Sequence, residues 1–345
     1  MENKRKQKNL NEAHKHKRDE FYIDLPAIEY ELAHFKESFR DKTVFCNCDN
    51  PFESQFVRYF LTHETGIKKL YAMSYAPYKC YRQMSLLDDD VKADPRYSKH
   101  AYIAEFSGDD IREGFTNYKL FVDTHTLVLH NTDGSFKSRE SEEYLDDSDI
   151  VVTGPPFSLF RDFIDMMMKH GKKFLVVGTQ NAISCKDIFG YFQDNRMWFG
   201  FPFKNDDAYF RVPDEACNLL YAKGVYNEDK GEVHFRNCHW YTNLEEGRQN
   251  NHIELVKTFR GNETKYPFYD GYPAIEVSKV ADIPKDFTGL MGVPITFMKS
   301  YDPEQFIIHG LDRYVAPKCA LKDSRLSING HTKYARVIIS NKEYA

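Results

Sequence analysis

Ser148-Asp149-Ile150-Val151-Val152-Thr153-Gly154-Pro155-Pro156-Phe157-Ser158-Leu159-Phe160 holds a strand, a stop and the start of a helix in one short stretch. Ile150 to Thr153 is β-branched throughout, which stiffens the side chains and favours a buried strand. Pro155 and Pro156 lack an N–H and fix φ, so the chain must turn at Gly154. From Leu159 to His170 the apolar residues recur at helical spacing. Lys173-Phe174-Leu175-Val176-Val177-Gly178 then reads as the next buried strand, and Cys185 to Asp194 as the next helix.

The same alternation extends toward the N-terminus. Thr43 to Asn47 is a strand, Asp49-Asn50-Pro51 a turn, Phe52 to Leu61 a helix and Lys69 to Met73 another strand. A helix from Ala27 to Phe35 precedes them, with Asp24 as cap and Pro26 in its first turn. Alternating strands and helices predict an α/β, Rossmann-like, doubly wound sheet whose ligands lie at the carboxyl ends of its strands. Residues from about Tyr75 to Asp110 read as a polar insertion. Strands are expected around Ala101–Phe106 and Lys119–Leu129, and a turn at Asp133-Gly134. After Phe201, aromatics, prolines and glycines become dense and regular helices scarce. That half is either a separate β-rich domain or a set of long loops. The expected division is a basic arm at 1–20, a catalytic domain at 21–200 and a C-terminal region at 201–345.

A chain of 345 residues can hold one large α/β domain and a smaller one. No run approaches the roughly 18 apolar residues of a membrane span, and no apolar segment marks a secretory signal. Seven cysteines, with only Cys46 and Cys48 closely spaced, read as reduced thiols of a cytoplasmic protein rather than a disulfide or zinc framework. The formal net charge of -5 argues against a protein coated in basic residues, although charge distribution matters more than the total. Lys4, Arg5, Lys6, Lys8, Lys15, Lys17 and Arg18 crowd the beginning, either as a phosphate-following arm or as a solvated terminus.

The Pro-Pro-Phe turn puts stiff backbone carbonyls at the sheet rim. Amino methylation needs such acceptors, because the exocyclic N6 of adenine is conjugated and poorly nucleophilic. Hydrogen bonds from N6 to a side-chain oxygen and a backbone carbonyl localise its lone pair, and an aromatic ring after the prolines can stack on an extruded base. By itself the turn reads first as a prolyl strand stop, because short motifs recur by chance. Val44-Phe45-Cys46-Asn47-Cys48-Asp49-Asn50-Pro51-Phe52 resembles a first cofactor-binding turn without its glycines, or a capped helix start. Asp19-Glu20-Phe21-Tyr22 is either an aromatic cover for a cofactor or an anchor for the arm.

In combination these segments resemble the EcoRI-type adenine-specific DNA methyltransferases over nearly the whole chain. In that family Asp-Glu-Phe-Tyr comes first, then Cys-Asn-Cys-Asp, then Ile-Val-Val-Thr-Asn-Pro-Pro-Phe-Ser-Leu-Phe. The likeness continues at Lys173–Gly178, Asn181-Ala182-Ile183, Trp240–Asn243, Tyr269-Asp270 and Met291–Phe297. It implies S-adenosyl-L-methionine as cofactor, double-stranded DNA as substrate and a cognate restriction nuclease as partner. Phe21, Tyr22, Asn47, Asp49, Pro51 and Asp133 are then the cofactor-binding candidates. The turn Gly154, Pro155, Pro156 and Phe157 is the catalytic candidate, with the Pro155 carbonyl on N6 and Phe157 against the base. Arg248 and Arg260 are the DNA-binding candidates, or else ordinary surface arginines.

One position departs from the family. Gly154 stands where the family has Asn, so the backbone acceptor is kept and the side-chain acceptor is lost. Removing one preorganised hydrogen bond costs roughly 3 kcal/mol, about a hundredfold in rate. The expected function is therefore adenine-N6 DNA methylation weakened or silenced at Gly154, and the alternative is a silent DNA-binding relative. Transfer to RNA or protein amino groups is a third reading of the same turn.

Overall fold

The computed structural model describes residues 22–76, 100–130, 132–203, 208–211, 226–227, 232–235, 237–248, 252–315 and 325–342. Phe21, the basic arm and most of the 75–110 insertion lie outside them. The described residues fall into two compact units: up to Gln180 with Phe199–Gly247, and Asn181–Trp198 with the residues from Arg248 onward.

The first unit contains strands β1 (Tyr22–Ile23), β2 (Thr43–Cys46), β3 (Lys69–Met73), β4 (Ala101–Ser107), β5 (Thr126–Leu129), β6 (Ile150–Thr153) and β7 (Lys173–Thr179). It continues with β8 (Trp198–Phe199, where the units meet in sequence), β9 (Ala208–Arg211), β10 (Tyr226–Asn227), β11 (Glu232–Phe235) and β12 (Cys238–Thr242). The main sheet has the order β5-β4-β3-β2-β6-β7-β12-β8. Its centre is parallel: β2 pairs with β3 and β6, and β6 with β7. Every residue of β2 and β6 is buried, as a parallel strand covered on both faces requires. The chain goes from β2 to β3 on one side and returns through β6 on the other, so the strand order reverses between β2 and β6. Such a reversal opens a crevice at the carboxyl ends.

Local chemistry sets the element ends. Asp24 caps the helix Leu25–Leu32 by accepting from Ala27 N at 3.4 Å, with proline in the first turn. The helix after β2 begins at Gln55 rather than Phe52, because Ser54 is its cap and accepts from the N–H groups of Phe56 and Val57. Residues 119–129, expected as one strand, fold as the helix Tyr118–Thr124 followed by β5. Asn117 caps that helix through Leu120 N at 3.1 Å. Its Phe121 stacks on Phe115 and Phe106, and this aromatic packing overrides the strand-like composition. Gly178 of β7 is fixed by contact, since a Cβ there would lie 2.4 Å from the Phe160 ring. A second, antiparallel sheet of this unit runs β1-β9-β11-β10.

The second unit is β-rich. Strands β13 (Phe268–Tyr269), β14 (Tyr272–Glu276), β15 (Leu290–Pro294), β16 (Phe306–Leu311) and β19 (Arg336–Asn341) form a sheet ordered β13-β14-β15-β19-β16. Strands β17 (Ser327–Ile328) and β18 (His331–Thr332) make a separate hairpin. Within the sheet, the buried Glu276 carboxylate accepts two hydrogen bonds from Arg336, at 2.9 and 2.6 Å, and one from the Tyr269 hydroxyl. Removing one partner of such a buried pair costs about 3–5 kcal/mol, because a charge is left without compensation.

Candidate active site

The site is built where β2 and β6 end side by side. After Cys46 the chain runs through Asn47, Cys48 and Asp49 before the Asn50-Pro51 turn. The Asp49 N–H donates to Met73 O of β3 at 3.0 Å. One carboxylate oxygen of Asp49 accepts from Ser54 Oγ at 2.7 Å, and the other from Thr153 Oγ1 at the last position of β6. Asp49 is 8% exposed. A single buried carboxylate thus ties together the ends of β2, β3 and β6 and the cap of the following helix.

Asn47 is 1% exposed, and its Nδ2 has no hydrogen-bond partner among the described residues. A buried amide N–H without a partner is uncommon and calls for an acceptor from elsewhere. Pro51 is buried, and the Asn50 side chain accepts from Phe52 N at 3.1 Å to close its turn. Burial pushes the Cys46 thiol well up, with Asp49 adding to the effect, so it carries little thiolate character.

At the tip of β6, Gly154 is half-buried and Pro155 buried. Among the described residues, a Cβ at Gly154 would meet only Phe56 Cε2, at 3.7 Å, an ordinary contact. The Pro156 carbonyl accepts from Leu159 N at 2.9 Å, which curls Phe157–Leu159 into a 3-10 turn. Half-buried Phe157 stands edge-on to Phe210, ring centroids 6.0 Å apart. Phe210 pairs through β9 with Ile23 of β1, which brings the strand containing Tyr22 to the neighbourhood of the Pro-Pro-Phe turn. Phe21 lies outside the described residues.

Asp133 sits in a turn against the end of β3. Its side chain accepts from Ser135 N at 2.9 Å and its carbonyl from Ala76 N at 2.7 Å. Gly134, at φ +67, is required there because a Cβ would fall 2.0 Å from Ser74 O. Asn47, Asp49, Pro51, Asp133 and Gly154–Phe157 therefore share one edge of one sheet. Arg248 and Arg260 belong to the second unit. Arg248 lies over the Trp198 ring at 5.5 Å, and Arg260 is exposed, its backbone N–H held by Asp286.

Sequence reasoning missed Ser54 and Thr153. Ser54 was readable as a cap before an apolar helix, but the pairing of Thr153 with Asp49 joins residues over a hundred positions apart. Among the described residues, no group of His, Cys, Asp and Glu is placed to hold a metal ion, and no helix is long and apolar enough to cross a membrane.

A mixed sheet with a parallel centre, an acidic tip on one strand and a Pro-Pro-Phe turn on its neighbour fits a Rossmann-like methyltransferase. The model of the family described as adenine-specific methyltransferase EcoRI matches residues 9–342, and the chain belongs to that family. It is 36% identical to the Type II methyltransferase M.EcoRI of Escherichia coli, over 96% of each chain. It is 33% identical to the Type II methyltransferase M.MpnI of Mycoplasma pneumoniae, over 97% of this chain and 98% of that one. M.MgeORF184P of Mycoplasma genitalium is 32% identical over 97% and 99% of the two chains. No solved structure matches the chain.

Proposed function

We propose that the chain methylates N6 of adenine in double-stranded DNA, using S-adenosyl-L-methionine, at the edge where β2 and β6 end. The observation that supports this most strongly is the Asp49–Thr153 hydrogen bond. It makes a cofactor-type turn and a base-type turn neighbours in one rigid frame. The unpartnered Asn47 Nδ2 fits a polar acceptor group of the donor. When bound, the donor supplies an electrophilic methyl group on a sulfonium.

The remaining work falls to the protein. The Pro155 carbonyl accepts a hydrogen bond from N6 and localises its lone pair. Phe157 stacks on the extruded adenine, a contact worth about 1–3 kcal/mol per base. Asp49 has both oxygens engaged by Ser54 and Thr153 and acts as a positioning residue for the two turns. Asp133 and the Phe21–Tyr22 segment border the donor, and residues from about 201 onward, with Arg248 and Arg260, contribute DNA contacts. By analogy with the Type II methyltransferases it resembles, the enzyme works in the cytoplasm beside a restriction nuclease of the same specificity.

Gly154 favours a second reading, a DNA-binding relative whose transfer step is silent, because the site lacks a side-chain acceptor at that position. Labelled methyl transfer to duplex DNA, with digestion to nucleosides, separates the two. N6-methyladenine from this chain supports the enzyme. Sequence-selective, salt-dependent binding by this chain without transfer supports the silent relative, and transfer gained by Gly154→Asn assigns the silence to that position.

A further inference from the structure

The second unit carries a hairpin whose first strand is anchored and whose turn and second strand are exposed. Strands β17 and β18 are joined by Asn329-Gly330, with φ of +51 and +76. Positive φ at both central residues marks the tight hairpin turn that Asn-Gly favours. Asp270, from the turn between β13 and β14, holds the hairpin from outside. Its carboxylate accepts from Ser327 Oγ at 2.8 Å, Asn329 N at 3.0 Å and Gly330 N at 2.9 Å, and its own N–H donates to Ser327 O. Below the strands, Leu326 is fully buried against Tyr269, Ala274 and Ile338. Lys333 N bonds Leu326 O at 2.9 Å and extends the pairing beyond β18.

Beside the Asp270 carboxylate, which is engaged by the turn, the base presents the basic side chains of Arg325 and Lys333 and the Tyr334 ring. His331 and Thr332 are exposed, and Tyr334 is 67% exposed. Arg325 lies over the Tyr334 ring at 5.0 Å. Residues 325–334 contain no acidic side chain, in a chain whose net charge is -5. A two-stranded ribbon fits the DNA major groove, which is about 12 Å wide. Tyrosine and cationic side chains at its sides suit sugar and phosphate contact.

We infer that the β17–β18 hairpin is a DNA-contacting finger that enters a groove of the duplex, with Lys333, His331 and Tyr334 as its contacts. The inference rests on the DNA-methyltransferase reading and adds an element to it. The test measures binding of the full chain, with S-adenosyl-L-methionine, to a fluorescein-labelled duplex with a randomised centre, over a range of salt. Two variants are compared with the parent: Tyr334→Ala, and His331→Glu combined with Lys333→Glu. The charge-reversed variant should bind at least about tenfold more weakly, with a shallower salt dependence. Tyr334→Ala should weaken binding about fivefold, while both variants keep the parent's melting temperature and donor affinity. If the parent binds DNA and both folded variants bind it equally well with the same salt slope, the finger is refuted and the methyltransferase reading stands. If the parent neither binds nor methylates DNA, the broader reading fails and the finger with it.

Discussion

Strands β2 and β6 lie side by side and end at the same edge, yet beyond the Asp49–Thr153 bond they share, their tips are held in opposite ways. The β2 tip is fastened by a side chain: Asp49 engages Ser54, Thr153 and, through its backbone, Met73. The β6 tip is shaped by backbone: two prolines set its course, and Gly154 contributes no side chain at all. A side-chain frame can be dismantled one hydrogen bond at a time. A backbone turn keeps its carbonyls whatever stands beside them. The difference separates the positioning function of the site from its transfer function.

The largest loss is expected from Asp49→Ala, which frees both tips and leaves the Ser54 and Thr153 hydroxyls without their acceptor. Hydrogen bonds to a charged group are worth about 1.5–3 kcal/mol each, so methyl transfer should fall by about a thousandfold in kcat/KM. Retained activity in a folded variant would deny Asp49 its positioning role. Phe157→Ala tests the β6 tip. Loss of one base-stacking ring should lower DNA kcat/KM by about thirtyfold and leave donor affinity unchanged. Thr153→Val is nearly isosteric and removes a single link, so a drop of roughly tenfold is expected. An unchanged rate there would show that the two tips are not coupled through this bond.

The smallest effect concerns a buried carboxyl in the helix Leu25–Leu32. Glu31 is fully buried and accepts from Phe201 N at 3.0 Å, and burial raises its pKa well above the ordinary glutamate range. The unfolded chain gives up this proton at lower pH than the folded one. Its contribution to stability is therefore present in acid and is lost as pH rises through the folded pKa. Glu31→Gln should melt roughly 2–4 °C higher than the parent near neutral pH, with the gain vanishing toward pH 4. Thermal melting across that range checks the sign.

Much of the fold was legible because buried parallel strands and prolyl stops are local patterns. Thr43–Cys46, Lys69–Met73 and Ile150–Thr153 need nothing beyond their own composition. The helix Tyr118–Thr124 was not legible, since its Asn117 cap and aromatic stack on Phe106 outweigh a strand-like sequence. The site divided similarly. The Gly-Pro-Pro-Phe turn and Asp49 stand out as motifs, but the bond joining them depends on β2 and β6 becoming neighbours. The second unit hid most, because its strands are short and Asp270 reaches its hairpin across many residues.

Single-turnover methyl transfer by this chain and by Gly154→Asn, at saturating donor and DNA, tests the β6 tip most closely. A Cβ at this position makes only an ordinary contact with Phe56 among the described residues. Restoring the missing acceptor should accelerate transfer by about a hundredfold with donor affinity unchanged. If the folded variant binds donor and DNA as the parent does yet transfers methyl no faster, the β6 tip does not work through a side-chain acceptor at this position, and the account of the site is wrong.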